Sequence, residues 1–138
     1  MGLIEDAQAA VKKLISPIVI CYANEYPPEK LKEDGIVKYP HTIFSFQNAA
    51  PNNDYSDRFL LQIDLWNNKG GDASEIETLT DAVFHALNKK KIMTDSLFFE
   101  IYRDAIFRLS LSDPDVNIQR RQLKFIARIY EKEQCLLM

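Results

Sequence analysis

The residue types that carry most enzyme chemistry are present in this chain, but their spacing does not bring them together. The only histidines are His41 and His85. One falls in an alternating stretch and the other in a helical one, and neither has a partner at ligand spacing such as H-x-x-x-H. A structural role is the simpler reading for both. In "SDPDVN", Asp113, Asp115 and Asn117 alternate like the first half of a calcium loop. The position that needs glycine holds Ile118, however, and Lys124 stands where the closing glutamate belongs, so a hairpin turn accounts for these residues better. Gly70 and Gly71 precede an amphipathic segment as a phosphate loop would, yet no Lys-Ser/Thr follows and Asn67-Asn68-Lys69 comes before them. Asp54 and Asp57 pair two carboxylates in a polar stretch, where solvated charge is the ordinary explanation. Cys21 and Cys135 are too few and too far apart to suggest a zinc site or a redox pair. No catalytic residue, metal or cofactor is expected, and the chain does not read as an enzyme.

Composition narrows the partners. A length of 138 residues suits a single domain spanning 1–138, with enough chain for one hydrophobic core. A formal net charge of -3 supplies no overall basic field for nucleic acid. The longest apolar stretch, Pro17 to Ala23, is far short of the roughly 20 residues of a membrane span. The first ten residues carry acids where a secretion signal has basic residues. "CLLM" at 135–138 fits a prenylation pattern, but "YEKEQ" before it is not polybasic and one lipid chain anchors weakly. Asp6 stands where a myristoylation site wants Ser or Thr. The expectation is a protein made in the cytoplasm, with no membrane partner.

The elements follow from periodicity. Leu3, Ile4, Ala7, Ala10, Val11, Leu14 and Ile15 recur at helical spacing and stop before Pro17. A short β-rich run, Ile18 to Tyr22, leads into a proline-rich surface excursion at 24–40, with one helical turn ended by Gly35. His41 to Gln47 alternates as a strand, and Asn48 to Asp57 reads as a long polar loop. From Arg58 onward, Phe59, Leu61, Ile63 and Leu65 point one way while Leu60, Gln62, Asp64 and Trp66 point the other. Gly70 and Gly71 then suggest a turn at positive backbone angles. Ser74 and Glu77 suggest a capping box for a helix carrying Ile76, Leu79, Val83 and Leu87, with Lys89 to Lys91 complementing its negative end. Two alternating runs around "SDPDVN", Ala105 to Leu111 and Gln122 to Ile129, make a hairpin. Leu97 to Asp104 suits either an extension of the first run, as one long kinked strand, or a helix.

Strands joined by hairpins, with helices segregated from them, predict an α+β fold: a two-layer, mainly antiparallel sheet with two principal helices on one face. Phe59, Ile63, Phe125 and Ile129 should lie beneath those helices. The other face should carry Gln62, Asp64, Trp66, Arg108, Lys124 and Arg128 among Leu60, Ile106 and Ile126. Asp54, Tyr55, Arg58 and Trp66 are large or charged, lie off the core stripe and cluster at a loop–strand end, so they are the candidate interface residues.

"KYPHTIFSFQ", "DRFLLQIDLWNNKGGDASEIETLTDAVFHAL" and "IFRLSLSDPDVNIQRRQLKFIARIY" together resemble the tail-terminator or tail-completion proteins of long-tailed bacteriophages and prophages. The order and spacing of these stretches carry the resemblance. It implies a virion structural subunit that forms a hexameric ring, caps the tail tube, ends its polymerisation and offers a docking surface to the head. The implied partners are other copies of the chain, the tail tube protein and a head-completion or connector protein, with DNA only passing through the lumen. The family has no catalytic residues to carry over. Two alternatives remain: a head-completion protein at the same joint, and a small ligand-binding domain or enzyme with a pocket under the 24–40 excursion.

Overall fold

The computed structural model describes residues 3–53 and 56–131. Its elements are α1 (Leu3–Ile15), β1 (Cys21–Ala23), α2 (Pro28–Asp34), β2 (His41–Asn53), β3 (Ser56–Asn67), α3 (Ser74–Leu87), β4 (Lys90–Met93), β5 (Leu97–Leu111) and β6 (Gln119–Glu131). One six-stranded sheet runs in the order β1-β2-β3-β6-β5-β4. Every pairing is antiparallel except β1 with β2. The helices α1 and α3 pack on one face of it, giving the two-layer α+β arrangement that the sequence predicts.

The core lies between those two layers. Ala7, Val11 and Ile15, spaced four residues apart, form the buried stripe of α1, and Ile76, Val83 and Leu87 form that of α3. The sheet answers with Phe59, Leu61, Ile63 and Leu65 on β3 and Leu123, Phe125, Ala127 and Ile129 on β6, all buried. Leu61 stands opposite Phe125 and Ile63 opposite Leu123, so the two alternating patterns meet on a common face. The expected burial of Phe59, Ile63, Phe125 and Ile129 is observed.

The stretch 48–57 differs from the polar loop expected. β2 continues to Asn53 and β3 starts at Ser56, so residues 48–53 and 56–57 extend the two strands, with Ala50 paired to Arg58 and Pro51 to Asp57. Two irregularities in β2 flank this pairing. Pro51 is tolerated because β1 covers β2 only along Thr42 to Phe44, leaving the rest of that edge without a strand that needs its N–H. Polarity misled here: an edge arm with one solvated side reads like a loop.

Leu97 to Asp104 is strand, the first part of β5, as the long kinked strand reading expects. Between Arg103 and Arg108, five residues of advance on β5 match only two on β6. The excess of three is odd, so it swaps the faces of everything beyond it. That interruption explains why the stretch also resembles a helical stripe. It also places Arg108 opposite Leu123, on the helix-covered side, and not on the open face predicted for it.

Smaller corrections concern the ends of elements. β1 spans Cys21 to Ala23, displaced from the predicted run at 18–22, because Ile18 and Val19 turn the chain off α1 through bonds to the Ile15 carbonyl. Lys90 and Lys91 belong to β4, an outer strand, where exposed lysines discourage further pairing. Only Gly70 takes a positive φ, +62°, while Gly71 does not. The Ser74–Glu77 capping box is absent. Asp72 Oδ1 accepts both the backbone N–H and the hydroxyl of Ser74 instead, and Glu77 turns away to two guanidinium groups. In the excursion, the expected helical turn is α2, closed by Gly35 at φ +74° with its N–H on the Leu31 carbonyl.

Candidate interaction surface

One residue along from each core position, β3 and β6 present the other face of the sheet. Its cross-strand pairs are Arg58 with Arg128, Leu60 with Ile126, Gln62 with Lys124, Asp64 with Gln122 and Trp66 with Arg120. The helices α1 and α3 pack on the opposite face. The polar groups among them hold one another. Asp64 is only 8% exposed and accepts from Arg120 Nη2 at 3.1 Å, Gln122 Nε2 at 2.9 Å and Gln62 Nε2 at 3.1 Å. A carboxylate taken from water in this way needs such donors, and Asp64 has three.

Trp66 is the centre of an aromatic row that crosses three strands. His41 on β2 stacks against its ring with centroids 5.1 Å apart and planes 16° from parallel, and the Arg120 guanidinium on β6 lies 5.1 Å from the ring centroid. Both partners are register neighbours of Trp66, one on each side. The excursion reaches over this corner of the open face, with Tyr26 edge-on to His41 at 5.2 Å and Tyr39 tilted against it at 5.2 Å. Nδ1 of His41 lies 3.0 Å from the Lys38 carbonyl, and burial pushes its pKa below the ordinary histidine value despite that bond. Burial thus favours the neutral imidazole, which stacks on the indole of Trp66.

Beside this row lies a cleft of about 320 Å³, lined by Tyr26, Tyr39, His41 and Trp66 with Val37, Ile43 and Ile118, and flanked by Asp113 and Asp115. The β5–β6 turn supplies the two acids, each fixed by accepting the backbone N–H two residues on, 3.0 Å at Asp115 and 2.9 Å at Asn117. The Tyr39 hydroxyl titrates above the ordinary tyrosine value, first through burial and then through the negative charge of Asp113 and Asp115. The alternative reading of a small ligand-binding domain or enzyme would have its pocket under the same excursion. At the opposite end of the open face, Arg128 covers the Tyr102 ring at 4.9 Å, and Phe98 meets Tyr130 at 5.8 Å.

On the helix side, ion pairs replace the capping box. Glu77 accepts from Arg121 and Arg108, and Asp81 accepts from Arg108. The bond from Arg121, followed by the one from Arg108, holds the Glu77 carboxyl below the usual glutamate range. These contacts tie α3 to β5 and β6.

Of the four candidate interface residues, Arg58 and Trp66 share the open face at opposite ends of β3, so they do not form one cluster. Asp54 and Tyr55 lie outside the described residues. Arg58 is exposed, whereas Trp66 is half-buried in its row. Sequence reasoning missed Tyr26, Tyr39, His41 and Arg120 as neighbours of Trp66. The signal was available for two of them, since His41 and Arg120 sit at the ends of their strands where the register brings them to Trp66. The tyrosines arrive by the irregular path of the excursion, which has no periodicity to read.

Fold and surface together define a small α+β domain with one face buried under helices and one face open, rich in aromatic and charged side chains. The chain matches no family model and no curated protein. Among solved structures it is similar in fold to a chain from the virion of a native gene transfer agent (GTA) particle, with a TM-score of 0.62 at 15% identity. That likeness covers 91% of this chain and 87% of the other. Among the described residues, no helix is long and apolar enough to cross a membrane.

Proposed function

We propose that this chain is a structural subunit of a phage or phage-like particle, acting by assembly and not by catalysis. In this reading it forms a hexameric ring that caps the tail tube, ends its polymerisation and presents a surface to the head. The tube protein, a head-completion or connector protein and neighbouring copies are its partners, and DNA passes through the lumen. The observation that carries the reading is the fold shared over nearly the whole length with a GTA virion chain. The sequence resemblance to tail terminators points to the same class, and the acidic net charge suits a channel that DNA must traverse without sticking. A ring needs two different patches per subunit that meet head to tail, and the open face has chemically different ends.

The test is the mass of the purified protein under native conditions, followed by electron microscopy of particles made without it. A hexamer, and tails of uncontrolled length in its absence, are expected. A monomer at all concentrations would remove the ring, and tails of normal length on unfilled or leaking heads would move the protein to the head side of the joint.

A further inference from the structure

The cleft at the excursion sets aromatic residues beside two acids. Tyr26, Tyr39, Trp66 and His41 line it together with Asp113 and Asp115. Aromatic faces beside carboxylates favour a guanidinium over an ammonium, since the planar group can stack on a ring while its N–H fork meets an acid. The same chemistry is already realised one step away, where Arg120 lies over Trp66 and bonds Asp64.

The opposite end of the open face carries the complementary group. Arg58 is exposed on β3, and its register neighbours are Ala50 on β2 and Arg128 on β6. No acid stands directly across from it on either side, and Arg128 itself faces Glu100 on β5. Arg58 and Trp66 are on the same face of one strand and eight residues apart, which at about 3.3 Å per residue puts them roughly 26 Å from each other. A cation at one end and an acid–aromatic cleft at the other is a head-to-tail pairing of unlike patches.

We propose that the Tyr26–Tyr39–Asp113–Asp115 cleft receives the Arg58 side chain of a neighbouring copy. The proposal rests on the ring reading above and names its contact. In the assembled state the guanidinium lies against the tyrosine rings and is forked by the turn carboxylates.

Trp66 is the only tryptophan of the chain, so its fluorescence reports on the cleft directly. Sedimentation of the wild type, Arg58→Glu, Asp115→Arg and the double variant, each checked for native circular dichroism, tests the contact. Each single reversal is expected to weaken association by roughly tenfold or more, as for desolvated charge pairs, and the double variant to recover most of it. Should Asp115→Arg fail to fold, Asp115→Asn takes its place, and weakened association is again the expected result. N-acetyl-arginine amide should perturb the Trp66 emission of the Arg58→Glu protein where its uncharged citrulline counterpart does not. A wild type that assembles, beside single variants that assemble equally well, overturns the contact and leaves the ring intact. A wild type that stays monomeric overturns the ring reading, and an arginine probe without effect on Trp66 overturns the cleft as a guanidinium site.

Discussion

On the helix-covered face of β3 and β6, Leu61, Ile63, Leu123 and Phe125 are fully buried and belong to one hydrophobic cluster with the apolar stripes of α1 and α3. One residue along each strand, Gln62, Asp64, Gln122 and Arg120 are tied together through one carboxylate, and Trp66 is held between a histidine and an arginine. The two faces share a backbone and a register yet are stabilised by different physics. Burial of apolar area holds the first, and mutual satisfaction of polar and aromatic groups holds the second. The difference teaches where this chain can meet a partner, since the first face is spent on its own helices while the second offers directional groups in a fixed array.

The sharpest way to break the comparison is to truncate one large residue on each face. Phe125→Ala removes a ring stacked on Phe84 of α3 and is expected to cost about 3–5 kcal/mol in urea or guanidinium unfolding. Tyr102→Ala, opposite Ile126 on the open face, should cost far less. Equal losses at both sites would mean that the open face is a second core.

Asp64→Ala comes next. It strips the acceptor from Arg120, Gln122 and Gln62, and the expected loss is on the order of 1–3 kcal/mol in the same unfolding measurement, because the donors stay partly buried without a partner. If the variant unfolds at the wild-type midpoint, the network adds nothing to stability and the open face is held by backbone pairing alone.

Much of the covered face was legible in the sequence. The alternation Phe59-Leu61-Ile63-Leu65, and the matching run on β6, identify the core because a period of two has one solution when one face is buried. The open face was legible only where the register stays regular. Gln62, Asp64, Trp66, Lys124 and Arg128 lie on it as the pattern says, while Arg108 crosses to the helix side after an odd insertion that no local pattern announces. Ile106, inside that insertion, is 69% exposed and pairs with nothing in β6. The hairpin arm was hidden for a related reason: Asn48 to Asn53 is polar because this part of β2 lies at the edge of the sheet, not because it is loop.

The ion pairs of Arg108 sharpen the comparison through pH. Glu77 has its folded pKa lowered, first by Arg121 and then by Arg108, so its contribution is present above the unfolded carboxylate value and is lost as pH falls through the folded one. Glu77 is 41% exposed in its side chain, so solvent screening limits the effect to no more than about 1 kcal/mol. Glu77→Gln is therefore expected to flatten the acid limb of the stability profile below about pH 4.5 and to leave the neutral limb slightly lowered. An unchanged acid limb would show that the two arginines hold α3 without help from that charge.

The smallest effect is expected at the start of α3, where the sequence pattern and the observed bonds part company. A Ser74–Glu77 capping box would make Ser74→Ala cost about 1 kcal/mol, since the hydroxyl would satisfy an orphan N–H of the first turn. In the structure that duty falls to Asp72, whose Oδ1 accepts the Ser74 N–H, and the Ser74 hydroxyl merely adds a second donor to the same oxygen. The Asp72 carboxyl is accordingly held below the usual aspartate range, first by the Ser74 hydroxyl and then by its N–H. Ser74→Ala should thus cost only a few tenths of a kcal/mol, less than a full cap, because the backbone bond survives. Asp72→Ala should cost more than Ser74→Ala, because both bonds disappear with the carboxylate. Thermal unfolding of the two variants side by side decides the matter: a larger loss for Ser74→Ala would restore the capping box and return Glu77 from the arginines to the helix end.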